Sequence, residues 1–194
     1  MQYLGFLLSE VSRSITQRRI ADIQNLRAPK TKKQLRAILG TTGFCRQWIP
    51  AYSEITKYLT DLTRNTEPEP LKIKPEHREA LTRLKEVILS APVLGIPDYN
   101  KPFQLLVNET KGIVSGVLTQ TLGHSYCSIG YYSCQLDPIA AGTVPCLRGG
   151  VAAAVSPKVS RSSFGMSFNS LLFTSNRCSN EEILHSNAFR PMNC

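Results

Sequence analysis

Apolar residues recur every third or fourth position through much of the first half of the chain and every second position just beyond residue 100, which predicts helices followed by strands. Leu35, Ile38 and Leu39 share one helical face while Lys32, Lys33 and Arg36 project elsewhere, so one side can be buried and the other stays cationic. Thr31 stands three residues ahead of Gln34, the spacing at which hydroxyl and amide side chains cap a helix start reciprocally. A helix is expected to open near Lys32, with Gly40 and Gly43 ending or bending it. Beyond Pro50, the series Tyr52, Ile55, Leu59 and Leu62 predicts a second helix folding back on the first. Pro68, Pro70 and Pro75 lie in a polar run, 66–75, that reads as a linker. A third helix follows, with Leu81, Leu84 and Ile88 on one face and Glu76, Glu79, Arg83 and Lys85 on the other.

The strands are announced differently. An apolar run from Tyr3 to Leu8, a polar break at Ser9 to Ser12 and a return from Arg13 to Gln17 predict a β-hairpin, which alone is marginal in water. Pro92 and Pro97 bracket a turn segment, after which Phe103, Leu105 and Val107 alternate with Gln104 and Leu106 as a strand mostly buried on one side does. Ile113 to Thr119 and Ser128 to Ser133 supply two further strands with Gly123 in the turn between them, giving an antiparallel meander. Past Gly149 and Gly150 comes a small-residue run, 151–155, and then a tail dense in serine and asparagine. Poor order is expected after about Pro157, where Phe164, Phe168, Leu171, Leu172 and Phe173 read as a remnant strand or an apolar segment without a partner. The fold class expected is α+β.

Charge changes this picture. The formal net charge is +9, and between Val11 and Arg46 nine cations face a single acid, Asp22. A face that merely solvates a helix mixes the two signs, so this imbalance points to an anionic partner. Lys30, Lys32, Lys33, Arg36 and Arg46 are the candidates for phosphate contacts, which give affinity without sequence preference. Trp48 and Phe44 either stack on a nucleic acid or fill the core. The six cysteines include no Cys-x-x-Cys pair, and His124 with Cys127, Cys134 and Cys146 is too irregularly spaced for a structural zinc site; reduced thiols are expected. No apolar run is long enough to span a bilayer and no cationic leader is seen, so an intracellular protein, in cytoplasm or nucleus, is expected, with no membrane partner.

These residues also carry a resemblance. The run Pro29, Gln34, Leu35, Arg36, Leu39, Gly40, Gly43, Phe44, Cys45, Arg46, Trp48, Ile49 and Pro50 resembles the thumb subdomain of gammaretrovirus-type reverse transcriptases. YLGFLLSE, from Tyr3 to Glu10, resembles the hairpin that grips the primer. APVLGIPDYNKPFQLLVNE, GVLTQTLG and LDPIAAGTVPCLR resemble the connection domain as far as Arg148, all in the family order. The chain thus looks like a piece of an endogenous retroviral Pol polyprotein. The resemblance implies a primer-grip-like hairpin and link over 1–28, a helical thumb-like unit over 29–91, a truncated ribonuclease H-like connection domain over 92–156, and the tail over 157–194. It implies an RNA:DNA hybrid or duplex as partner, with other Pol-derived subunits as a further one. Gly40 and Gly43 either let the backbone approach the duplex minor groove, as the family thumb does, or cap the helix.

Catalysis is expected to be absent from this piece. Nucleotidyl transfer in the family uses an Asp-Asp pair upstream of the hairpin, and this sequence has no such dipeptide. An active ribonuclease H needs clustered carboxylates holding two magnesium ions, and Asn108 stands where active relatives have aspartate. Glu109 and Asp137 remain near in sequence, while Glu181 and Glu182 do not align. Magnesium enters only under the alternative of a ribonuclease H with a displaced carboxylate set; otherwise no cofactor is expected.

Overall fold

The computed structural model describes residues 1–3, 5–64, 70–123, 125–142 and 171–175. Helix α1 (Gln17–Gln24) is one the hydropathy pattern did not announce, because eight residues offer only two turns of periodicity; Thr16 caps it and Ile23 is its buried residue. Helix α2 (Lys32–Phe44) begins where expected: the Thr31 hydroxyl accepts the Gln34 amide at 3.2 Å, and Gln34 Oε1 accepts the Lys30 amide at 2.8 Å. Gly40 does not end it, and the helix closes one residue beyond Gly43, at Phe44 with Cys45 as its C-cap, so its end falls beside the second glycine. Two helical glycines cost about 1 kcal/mol each. Burial of Leu35, Ile38 and Thr42 along the same helix offsets that.

A 3-10 turn, Arg46–Trp48, then leads to a corner where Ala51 takes φ 53°, and α3 (Tyr52–Asp61) folds back on α2 as predicted. The Tyr52 hydroxyl seals the return by donating to Leu39 O at 3.2 Å. Of the expected linker, 65–69 lie outside the described residues, and its far end is anchored: Leu71 is buried and its amide donates to Lys30 O. Helix α4 (Pro75–Leu89) opens on a proline and buries His77, Ala80, Leu84 and Ile88.

The hairpin exists and is larger than predicted. Strands β1 (Gln2–Tyr3), β2 (Phe6–Leu8) and β3 (Ser12–Ile15) are joined by β4 (Leu94–Gly95), which pairs with β3 inside the segment that the two prolines marked as a turn. This four-stranded sheet and the helices share one core, built on Ile15, Ile23, Leu35, Trp48, Ile49, Leu59, Leu84, Ile88 and Leu94.

The meander forms a second sheet from β5 (Phe103–Thr110), β6 (Ile113–Leu122) and β7 (Ser125–Gln135), closed by the four-residue helix α5 (Pro138–Ala141). Along β5 the core side chains alternate as predicted, with Phe103, Leu105 and Val107 buried. Strand β8 (Leu171–Ser175) lies parallel to β5, so the sheet order is β7-β6-β5-β8. The rest of 143–194 lies outside the described residues. Leu118 faces Gly130 and Thr119 faces Ser128, so Ile129 is an extra residue in β7, a bulge that leaves its backbone out of the ladder. Arg13 Nη2 from the first sheet donates to the Ile129 carbonyl at 2.7 Å. Nearby, Ser53 at the start of α3 and Ser133 of β7 share three bonds, Ser53 N to Ser133 Oγ at 2.7 Å, Ser53 Oγ to Ser133 O at 2.9 Å and Ser133 Oγ to Ser53 Oγ at 3.1 Å. The two sheets are therefore tied by polar contacts as well as by packing.

Candidate nucleic-acid interface

Burial of Leu35, Ile38 and Thr42 turns the opposite side of α2 to solvent, and Lys33, Arg36, Gly40 and Phe44 fall along that side at i+3 and i+4 spacing. Lys30 precedes the helix and is exposed, Lys33 and Arg46 are exposed, and Lys32 is half-buried. Arg36 is exposed with Nη2 donating to Thr63 O at 2.9 Å, which fixes its guanidinium over the end of α3. Among the described residues no carboxylate pairs with Lys30, Lys33, Arg36 or Arg46. The first turn of α2 also lacks an acid. Cations at a helix N-terminus oppose its dipole, and both their charge and the free amides there attract an anion.

Two expected site residues behave differently from each other. A Cβ built on Gly40 would meet nothing within 4 Å, so the helix presents bare backbone there. Gly43 is half-buried, with the Tyr52 hydroxyl 3.5 Å from its Cβ position, so it serves the packing of α3. Trp48 is a correction: at 1% exposure it cannot stack on a nucleic acid, because it fills the first core. Its indole rests on Phe6, ring centroids 4.5 Å apart, and Phe6 stacks in turn on Phe44 at 4.8 Å and 2°.

Two arginines close this stack. The Arg19 guanidinium lies 4.3 Å from the Phe44 centroid and the Arg13 guanidinium 5.3 Å from that of Trp48, a layered series from α1 through α2 and β2 to β3. Sequence reasoning counted both arginines as charge and missed their aromatic partners, since nothing local signals a contact between residues 19 and 44. Burial lowers the Arg13 pKa, with Tyr132 and Tyr99 opposing, yet a guanidinium remains charged. Burial raises the Cys45 thiol and Arg19 pulls it back, so burial prevails and the thiol stays protonated at neutral pH. Cys45 and Cys134 are free, whereas Cys127 is disulfide-bonded, contrary to the expected set of reduced thiols. The lack of a close Cys pair argues against chelation but does not limit which thiols meet in space.

The acids near the meander are engaged elsewhere. Asn108 is half-buried on β5 with Nδ2 3.4 Å from Thr110 Oγ1. Glu109, on the opposite face, is 3% exposed and Oε1 accepts the Gly112 amide at 2.7 Å, holding the β5–β6 turn. Asp137 caps α5, accepting from Ile139 N and Ala140 N. Among the described residues no three His, Cys, Asp or Glu side chains converge as a metal site would require. Glu181, Glu182, His124 and Cys146 lie outside them. No helix among the described residues is long and apolar enough to cross a membrane.

Comparison with known proteins places this arrangement. Residues 73–145 match the family described as the RNase H-like domain found in reverse transcriptase. The chain is 46% identical over 146 residues to the Pol polyprotein of Feline endogenous virus ECE1, covering 75% of this chain and 14% of that protein. Against the Gag-Pol polyprotein of Baboon endogenous virus it is again 46% identical over 146 residues, covering 75% and 8%. Against that of Woolly monkey sarcoma virus it is 44% identical over 153 residues, covering 79% and 9%. It therefore spans 14% or less of the length of these relatives. In fold it is similar to a foamy viral protease-reverse transcriptase solved with an RNA/DNA hybrid, at a TM-score of 0.75 and 24% identity, covering 93% of this chain and 24% of that one. A second structure of that enzyme, with dsDNA, gives 0.74 and 19%, covering 94% and 46%. The α+β fold with its RNase H-like meander is thus that of reverse transcriptase, and the chain belongs to the retroviral Pol polyproteins as a homologue of one segment of them.

Proposed function

We propose that this chain is a nucleic-acid-binding fragment of a reverse transcriptase that takes an RNA:DNA template-primer along α2 and lacks a complete active site of its own. The observation that carries this reading is the exposed strip Lys33, Arg36 and Gly40, flanked by Lys30 and Arg46, with no carboxylate among the described residues to neutralise it. Such a strip offers backbone access between cations, which suits a duplex whose phosphates lie on either side of a groove. In this reading 1–28 is the primer-grip-like hairpin, 29–91 the thumb-like unit, 92–156 the connection domain and 157–194 a tail. The family match begins at residue 73, ahead of α4, yet α4 gives Ala80, Leu84 and Ile88 to the first core, which favours keeping it with the helices. The hybrids and dsDNA bound by the foamy viral enzyme support the choice of ligand by analogy.

The test is fluorescence anisotropy of a labelled RNA:DNA hybrid titrated with the full chain over a salt series. Four phosphate contacts give log K a slope of roughly −3 to −4 against log salt. Binding that is flat with salt, or absent at low ionic strength, would refute the reading, and magnesium-dependent cleavage of the hybrid would replace it with a ribonuclease H.

A further inference from the structure

Arg19 is one of the cations of the basic segment, with Arg13, Arg18 and Arg27, that the proposed interface leaves unused. Its guanidinium lies over the Phe44 ring at 4.3 Å and 5.8 Å from the centroid of Phe6, and its charge acts on the Cys45 thiol. It also abuts Gly5, whose φ of +81° belongs to the left-handed region that favours glycine; a Cβ there would stand 2.8 Å from Arg19 Nε and force the guanidinium to shift. One side chain thus touches the β1–β2 turn, the strand after it and the last residue of α2. No acid among the described residues holds it. The Phe6 ring sits between Phe44 and Trp48, and Arg19 lies over the Phe44 end of that stack.

We propose that Arg19 is a positioning residue that clamps the β1–β2 turn onto the end of α2, so that hairpin and cationic helix meet a nucleic acid as one surface. This rests on the proposed hybrid-binding function for its consequence, and on geometry alone for the clamp. A planar guanidinium can lie flat on a ring and bond sideways at the same time, which a lysine ammonium cannot, so Arg19→Lys does not restore the clamp.

The experiment is hydrogen exchange on the full chain, with and without a 20-base-pair RNA:DNA hybrid, in wild type, Arg19→Gln, Arg19→Lys and Phe44→Leu. Phe44 is 44% exposed, so its loss removes the platform without emptying the core. In the free protein, all three variants exchange the amides of Phe6 to Leu8 roughly threefold to tenfold faster than wild type, the scale of a lost cation–π contact. In wild type, hybrid slows exchange in both α2 and the hairpin; in the variants it slows α2 alone, with the salt slope of binding unchanged. A merely structural role would leave the hybrid-induced protection of the hairpin in place. Unchanged hairpin exchange in the free variants overturns the clamp, even if hybrid binding itself fails. So does a salt slope reduced by about one in Arg19→Gln and restored in Arg19→Lys, which would make Arg19 a phosphate contact.

Discussion

Gly40 separates folding from recognition at a single residue. Because nothing lies within 4 Å of its Cβ position, Gly40→Ala costs no steric repacking and stabilises the exposed helix by roughly 0.5–1 kcal/mol. If the bare backbone exists for a closely approaching duplex, the same change weakens hybrid binding several-fold. The prediction is a raised urea midpoint together with a raised Kd; a variant that gains stability and binds equally well would remove Gly40 from the interface. The choice between cap and close approach was legible only as far as the pair of glycines. Which of them is open depends on Tyr52, whose hydroxyl occupies the space beside Gly43 and leaves Gly40 clear. Trp48 was ambiguous for the same kind of reason: its burial is set by Phe6, forty-two positions away, and local pattern carries no trace of that.

At the scale of the element, α2 was the most legible part of the chain, since capping residues, apolar face and cationic face all lie within one short stretch. Its end was legible only as one of two glycines: the helix passes through Gly40 and closes just after Gly43. Strand β5 was readable from alternation, and β6 and β7 as strands either side of the Gly123 turn, whereas β4 was hidden between two prolines, where two residues pair with β3. The two cations on the exposed line of α2 differ in their setting, and so should differ in effect. Lys33→Gln reduces the salt slope of hybrid binding by about 0.9, one released counterion. Arg36→Gln does the same and also frees Thr63 O, so it destabilises the α2–α3 pair by about 1 kcal/mol, seen as a lower urea midpoint. Equal losses against unrelated hybrid sequences would identify both as backbone contacts, while a sequence-dependent loss at either would exclude that role.

For the whole molecule, the sequence pattern separated helices from sheet but not how they join. The join runs through Ser53 and Ser133 and through Arg13 and the Ile129 carbonyl, pairs 80 and 116 residues apart that no local pattern could reveal. Ser53→Ala removes both the side-chain donor to Ser133 O and the acceptor of the Ser133 hydroxyl but keeps the Ser53 amide bond, a loss of about 1–2 kcal/mol; adding Ser133→Ala breaks the remaining one. The expected result is a single unfolding transition in wild type and, in the double variant, two resolved transitions as the two cores uncouple. A single transition in both would mean that apolar packing alone joins them.

The surplus residue in β7 has an evolutionary corollary. Loss of one codon at Ile129 would restore even pleating, with Gly130 and Ser128 as sequence neighbours opposite Leu118 and Thr119, and the ladder by itself would be tidier. The same loss would abolish the acceptor that Arg13 grips from the other sheet. Here a local irregularity is what a distant partner recognises, so length in this strand is constrained by a residue that precedes it by more than a hundred positions.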